Sequence, residues 1–154
     1  MTQDMVFSSE SVTKGHPDKL CDGISDAIID AYVFQDPLSR ASVECAIASG
    51  VLFIASRANS VASVDLPSLA RQVIAEAGYE GQGFDARNCS ILTSLTNIPP
   101  ETGERPDPEA TDPGSIPARD HVNAFGYACD ETPELMPAPI MLAHGIARLL
   151  DRLR

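Results

Sequence analysis

The segment SSESVTKGHPDK, residues 8–19, leads into the first predicted helix and carries a histidine, an aspartate and two lysines around one glycine. Pro17 suits the first turn of a helix, because the N–H that proline lacks is not needed there. His16 and Asp18 should therefore flank a helix N-terminus, where backbone N–H groups and the helix dipole favour anions. The pattern is compatible with a site for a phosphate and its metal ion. It is also compatible with a capped surface helix that carries incidental charge.

The composition limits the kinds of partner that the chain can have. A chain of 154 residues with 44% hydrophobic and 21% charged residues is expected to form about one globular domain. Its formal net charge of -11 argues against nucleic acid or an anionic membrane as a partner, because both attract positive surfaces. The same charge would repel a polyphosphate, so a divalent metal ion or cationic residues from another chain would have to offset it.

Cysteine usage and hydropathy indicate the cellular compartment. The N-terminal residues MTQDMVF lack the basic and apolar regions of a signal peptide, and no apolar run reaches the length of a membrane span. We therefore expect a cytoplasmic protein. The cysteines are widely spaced and form no C-x-x-C pair, which predicts buried free thiols rather than a zinc site; they are Cys21, Cys45, Cys89 and Cys129.

Hydrophobic periodicity predicts an α/β fold of the two-layer α+β type, with helices on one face of a mixed or antiparallel sheet. Ser49 and Gly50 predict a hairpin turn, and Asp65 is expected to cap the second helix. The final helix is apolar enough that another surface should cover it. The predicted helices cover 17–34, 66–77 and 137–152, and the predicted strands cover 5–8, 41–48, 51–56, 61–64, 88–96 and 123–129.

Two further features leave alternatives open. Glu44 lies in the middle of a predicted strand, where residue pattern alone favours an ordinary solvent-facing position. Residues 97–119 contain six of the twelve prolines and several acidic residues, so neither helix nor strand is expected there. A loop of this length is compatible with an active-site lid or with a solvated linker.

Four collinear segments resemble S-adenosylmethionine synthetase, also called methionine adenosyltransferase. They are FSSESVTKGHPDKLCDGISDAIIDA at 7–31, QDP at 35–37, GYEGQGFDARNCSIL at 78–92 and FGYACDETPELMPAPIMLAH at 125–144. The resemblance covers only the N-terminal part of a longer family member. It divides the chain into a domain at 1–96, a Pro-rich acidic loop that resembles a lid at 97–119, and the start of the next domain at 120–154.

The resemblance implies a reaction in which the sulfur of methionine attacks C5′ of ATP and expels triphosphate, which is then hydrolysed. It implies that His16 polarises the leaving oxygen and that Asp18 binds Mg²⁺. Glu44 corresponds to the family's glutamate ligand of K⁺. Lys19 is expected to bind the nucleotide, and Asp120 is expected to contact the nucleoside or the amino acid.

Three positions depart from the family pattern, and all three concern methionine. Arg57 stands where the family has a glutamate that holds the methionine ammonium group, and a guanidinium would repel that group. Ile98 stands where a glutamine contacts methionine, and Arg119-Asp120-His121-Val122 replaces the GDQG motif. Most of the family's triphosphate-binding basic residues lie beyond the matched part.

These departures lead to two hypotheses of different classes. In the first, the chain is a subunit of a split or heteromeric adenosyltransferase, in a homo- or hetero-oligomer whose second synthetase-like chain supplies the basic residues. In the second, it is a catalytically inert paralogue that binds and regulates a full-length synthetase. The resemblance implies ATP as a substrate, with methionine or an analogue as the other.

Overall fold

The computed structural model describes residues 6–81, 84–98 and 123–153. These residues form two compact units, which we describe separately. One unit combines residues 6–14 with 123–153, and the other contains residues 15–81 and 84–98. The predicted domain boundaries at 96/97 and 119/120 stay predictions.

The first helix of the larger unit, α1, spans Pro17–Gln35 and confirms the predicted helix. It begins after His16, whose extended backbone is typical of an N-cap, and it ends at Asp36. One side of α1 is buried in the core, because apolar residues recur at three- and four-residue spacing. The buried residues of this side are Leu20, Cys21, Ile24, Ile28 and Tyr32.

The sheet is mixed, as predicted, and consists of three strands in the order β1-β2-β3. β1 spans Arg40–Ala48, β2 spans Val51–Asn59 and β3 spans Ser90–Ile98. The first two strands pair antiparallel, whereas β2 and β3 pair parallel. Ser49 and Gly50 have φ angles of 48° and 82°, so both turn residues are left-handed, as a tight two-residue hairpin requires.

The second helix, α2, spans Leu66–Glu76 and covers the same side of the sheet as α1. Asp65 caps it as predicted, by accepting a hydrogen bond from the Ser68 amide at 3.1 Å. Between the helices and the sheet lies an aliphatic core, to which the strands contribute Val43, Leu52, Ile54 and Ala58.

The other side of the sheet is not covered by these helices, and we call it the open face. The residues of the open face are identified by strand alternation, because every second residue of a strand points to the same side and paired residues share a side. Large apolar side chains are exposed there, with Phe53 at 43% and Leu92 at 57%. Its residues are Arg40, Ser42, Glu44, Ala46 and Ala48 of β1, Val51, Phe53, Ala55, Arg57 and Asn59 of β2, and Ser90, Leu92, Ser94, Thr96 and Ile98 of β3.

The smaller unit is built around α3, which spans Ala138–Leu153. Residues 6–14 lie along one side of it, where Ser11 Oγ and His144 Nδ1 are 2.8 Å apart and the Lys14 amide donates to the Asp151 carboxylate at 3.2 Å. The opposite side is an exposed apolar stripe, so the surface that we expected to cover this helix is not found among the described residues. The stripe comprises Leu142, Ile146, Leu149, Leu150 and Leu153.

Three predicted strands are wrong where the structure describes them. Residues 6–8, 61–64 and 123–129 are irregular, since apolar alternation makes a strand only where a neighbouring strand is available to pair with. In the 61–64 segment the backbone instead bonds to side chains: the Val61 amide donates to Asp36 and the Ala62 amide to Ser60. Such local bonds compete with strand formation.

The third strand begins later than predicted. The amides of Asn88 and Cys89 donate to the carbonyl of Asp85, so a turn occupies the first two predicted residues and β3 starts at Ser90. At the other end, β3 includes residues 97 and 98, so the predicted loop does not begin at 97. Residues 99–119 of that loop lie outside the described residues.

The four cysteines are free, as predicted, but only two are fully buried. Cys21 and Cys89 are buried, whereas Cys45 and Cys129 are partly exposed. None of the helices in the described part of the chain is both long and apolar enough to span a membrane.

Candidate functional site

The best-defined candidate site is the N-terminus of α1. His16 caps the helix through its side chain, because Nδ1 accepts a hydrogen bond from the Asp18 amide at 3.2 Å. A neutral imidazole that accepts at Nδ1 carries its proton on Nε2. The His16 side chain is 41% exposed, so Nε2–H is available as a donor beside the positive end of the helix dipole.

Two charged side chains occupy the first turn of α1 next to His16. The Asp18 side chain is 93% exposed, and its Oδ2 lies 4.0 Å from His16 Nδ1, too far for a hydrogen bond. Lys19 is exposed in the same turn. The structure therefore brings His16, Asp18 and Lys19 together, as the sequence predicted.

A tyrosine that was assigned no role in the sequence analysis supports this turn. The hydroxyl of Tyr79 donates to the carbonyl of Gly15 at 2.5 Å. The Tyr79 ring packs edge-on against Phe84 with 5.3 Å between centroids, and its carbonyl accepts from the Ala86 amide. The only sequence signal was that Tyr79 belongs to the second segment that resembles the family.

Asp85 organises the loop that carries Phe84. Its carboxylate accepts hydrogen bonds from the amides of Arg87 at 2.7 Å and Gly81 at 3.0 Å. These bonds hold the pKa of Asp85 below its ordinary value, because they stabilise the ionised carboxylate. The bond from the Arg87 amide makes the largest contribution. The Asp85 carboxylate thus connects Gly81 and Arg87, which lie on either side of Phe84 in the chain.

Two thiols lie in the core between α1 and β1. Ser25 Oγ donates to Cys45 Sγ at 3.4 Å. Burial raises the pKa of Cys45. The pKa of Cys21 is also raised: burial is the largest cause, the neighbouring Cys45 is the second, and Asp18 and Asp22 contribute less. A raised pKa leaves less of the reactive thiolate at neutral pH, so neither cysteine is favoured as a nucleophile.

Glu44 does not lie with His16. It is exposed on the open face, directly opposite Ala55 of β2, whereas His16 lies at the end of a helix on the other side of the sheet. Arg57 is also exposed on the open face, opposite Ser42. Asp120 lies outside the described residues. Within one chain, the structure thus separates Glu44 from His16, Asp18 and Lys19.

Asp18 and Glu44 differ in how well they fit the metal ions that the resemblance implies. No cluster of three or more histidine, cysteine, aspartate or glutamate side chains occurs in residues 6–81, 84–98 and 123–153. Asp18 still fits Mg²⁺, which commonly binds one or two carboxylates and completes its shell with water and substrate phosphates. Glu44 offers a single carboxylate on a face that also carries Arg57, and does not form a K⁺ site by itself.

Fold and site together define an α+β domain whose first helix presents a histidine cap and an exposed carboxylate at its N-terminus. The model of the S-adenosylmethionine synthetase N-terminal domain matches residues 4–100, and the model of the central domain matches residues 115–154. The chain therefore belongs to the S-adenosylmethionine synthetase family, and the resemblance is confirmed.

Curated relatives agree with this assignment. The chain is 47% identical over 156 residues to an S-adenosylmethionine synthase of Synechococcus sp. strain RCC307, an alignment that covers 97% of this chain and 38% of that protein. It is also 47% identical to the S-adenosylmethionine synthase of Prochlorococcus marinus strain MIT 9313, covering 37% of its length. The chain thus spans less than two fifths of the relatives it matches.

Proposed function

We propose that this chain is a subunit of a split or heteromeric methionine adenosyltransferase that forms S-adenosylmethionine, or an analogue, from ATP and methionine, with hydrolysis of triphosphate. The observation that carries the proposal is the His16 cap. The His16 side chain is partly exposed beside an exposed Asp18, and the surrounding GHPDK sequence is intact in a member of the synthetase family.

His16 acts in this proposal as a hydrogen-bond donor to the oxygen that leaves C5′. Because the Asp18 amide holds Nδ1, the imidazole is fixed in the tautomer that donates from Nε2. The α1 dipole adds partial positive charge at the same place. A donor that is already oriented where negative charge develops stabilises the transition state without reorganisation.

The remaining site residues have the roles that the family resemblance implies. Asp18 would hold Mg²⁺, which would supply positive charge beside the phosphates. Lys19 would add a cation for the nucleotide, and Asp120 would contact the nucleoside or the amino acid. Glu44 would serve K⁺ only if further ligands came from outside the described residues.

A second synthetase-like chain is part of the proposal, as a partner in a homo- or hetero-oligomer. The chain carries only 11 Lys and Arg residues against 22 Asp and Glu, so it lacks the cations that a triphosphate needs. Its α3 stripe and the apolar part of the open face are exposed, and surfaces of this kind mark interaction sites. We further propose that this assembly is cytoplasmic.

The decisive experiment assays the purified chain alone and mixed with a synthetase-like partner, including a full-length synthetase. Release of pyrophosphate and phosphate from ATP and methionine is measured. We expect activity that exceeds the partner's own and falls about a hundredfold or more in His16→Ala. His144→Ala, at the exposed histidine of α3, is the matched control. Absence of added activity with every partner would overturn the proposal.

The alternative is a catalytically inert paralogue that binds and regulates a full-length synthetase. Arg57 favours it, because an exposed guanidinium stands on the open face where the family has a methionine-binding carboxylate. Under this alternative, His16→Ala leaves the effect on the partner's activity unchanged. If His16→Ala abolishes that effect, the inert paralogue is excluded.

A further inference from the structure

One end of the open face gathers polar and positively charged side chains. In the pairing of β1 with β2, Arg40 lies opposite Asn59 and Ser42 lies opposite Arg57. In the pairing of β2 with β3, Thr96 lies beside Arg57. Because paired residues share a side of the sheet, these five residues occupy two adjacent rows on one face. We call this group the arginine site.

Within the residues that the structure describes, no acidic group neutralises the two guanidiniums. No ion pair or hydrogen bond joins the side chain of Arg40 or Arg57 to another group in the described part of the chain. Glu44 is the nearest acidic residue along β1 on this face, one row beyond Arg57, and the two form no ion pair. Among the described residues, Arg40 and Arg57 thus lie in neighbouring rows without an acidic partner, in a chain whose net charge is -11.

The hydroxyl groups flanking Arg57 are also unused. Ser42 and Thr96 are exposed on either side of Arg57, and neither side chain makes a hydrogen bond with the described residues. A guanidinium presents a planar set of N–H donors that matches the oxygens of carboxylate and phosphate. A hydroxyl on each side extends this row of donors across all three strands.

Asn59 provides an independent indication of a ligand site. It is only 2% exposed, yet neither Oδ1 nor Nδ2 of its side chain has a hydrogen-bond partner among the described residues. Buried amide groups are rarely left unpaired, because the loss of water is then uncompensated. Asn59 lies opposite Arg40 and on the same side of the sheet as Arg57, so its side chain belongs to the same part of the open face.

We propose that the arginine site binds an oxyanion, a phosphate or a carboxylate group of a small molecule. Arg40 and Arg57 supply the charge, while Ser42, Thr96 and Asn59 supply further donors. The observations that support this site are independent of the adenosyltransferase proposal, although Arg57 stands where the family has a methionine-binding glutamate. Arg40 follows the C-terminal end of α1 in the chain, whereas His16 precedes its N-terminus, and the 19 residues of α1 span about 28 Å at the usual helical rise.

The test is a titration in which a probe is added to the full chain at low ionic strength. Binding is monitored through the NMR signals of the backbone amides and of the arginine side chains. Sodium pyrophosphate and sodium 4-(methylthio)butanoate are the two probes. We expect saturable shifts at Arg57 and Thr96 for at least one probe, with affinity reduced about tenfold in Arg57→Gln and in Arg40→Gln. The probe that binds more tightly identifies the source of the oxyanion as phosphate or carboxylate.

Arg148→Gln is the matched control, because it removes one exposed arginine from α3 and changes the net charge equally. It should leave the affinity within about twofold of the parent chain. The double variant Ser42→Ala/Thr96→Ala removes the two hydroxyl groups and keeps the charges of Arg40 and Arg57. It should weaken binding. Equal losses in Arg148→Gln and Arg57→Gln, or no saturable shift with either probe, would overturn the site. Neither result depends on whether the chain supports synthetase activity.

Discussion

The hydroxyl of Tyr79 donates a 2.5 Å hydrogen bond to the carbonyl of Gly15, which is 64 residues earlier in the chain. Gly15 immediately precedes His16, the residue that caps α1. The loop after α2 is thus attached to the backbone that carries the candidate catalytic histidine. Two separate segments that resemble the synthetase family therefore form one structural group in the folded chain.

Tyr79→Phe should lower the free energy of unfolding by about 1 kcal/mol, because it removes one hydrogen bond and keeps the ring that packs on Phe84. Urea denaturation measures this change. Hydrogen exchange at the Leu20 amide, which donates to the His16 carbonyl at 2.8 Å, should become faster. Tyr127→Phe, at a tyrosine that is 71% exposed, is the control and should alter neither quantity. Unchanged exchange at Leu20 in Tyr79→Phe would contradict a role in holding the turn.

Asp36 joins the end of α1 to the segment that follows β2. It is 3% exposed, and its carboxylate accepts from the Leu38 amide, the Ser60 hydroxyl and the Val61 amide. Asp36→Ala should destabilise the chain by roughly 2 to 4 kcal/mol in urea denaturation, because several donors lose their acceptor at once.

Two further variants separate this network from a general charge effect. Asp36→Asn keeps one side-chain acceptor and should lose less stability than Asp36→Ala. Asp30→Ala removes the same charge from an exposed position of α1 and should change stability by less than about 0.5 kcal/mol. Equal destabilisation by Asp36→Ala and Asp30→Ala would rule out the network.

Asp85 should make the stability of the chain depend on pH in the acid range. Its pKa is lower in the folded chain than in the unfolded chain, because the amides of Arg87 and Gly81 bond to the ionised carboxylate. The resulting stabilisation is present when the pH is above the pKa of Asp85 in the unfolded chain, which is about 3.9. It is lost as the pH falls through the pKa of Asp85 in the folded chain.

Melting temperatures between about pH 6 and about pH 3 measure this effect. The parent chain should lose more stability on acidification than Asp85→Asn, which cannot titrate. Asp30→Asn serves as the control and should follow the parent chain. Parallel curves for the parent and Asp85→Asn would show that Asp85 does not contribute.

Gly50→Ala should destabilise the hairpin between β1 and β2 by about 1 kcal/mol, because Gly50 has a φ of 82° that alanine adopts only with strain. Gly145→Ala is the matched comparison: Gly145 lies inside α3, where an added methyl group meets no atom within 4 Å. That change should stabilise α3 by roughly 0.5 to 1 kcal/mol. The midpoint of chemical denaturation should therefore shift in opposite directions for the two variants. A shift in the same direction for both would contradict the turn geometry.

Local signals in the sequence were sufficient for much of the fold. Pro17 and the recurring apolar residues predicted α1, Asp65 predicted the start of α2, and Ser49-Gly50 predicted the hairpin, because each feature acts within a few residues. Predictions that needed a distant partner were less successful. The alternating segment at 123–129 is irregular, since alternation shows only that a strand is possible.

The candidate site shows the same division. The sequence alone placed His16, Asp18 and Lys19 together, because they share one helical turn. It also identified the family, since long collinear segments match. Tertiary structure alone placed Tyr79 against Gly15 and separated Glu44 from His16 by the thickness of the sheet. It also aligned Ser42, Arg57 and Thr96 in one row, because strand register is set by pairing between segments far apart in the chain.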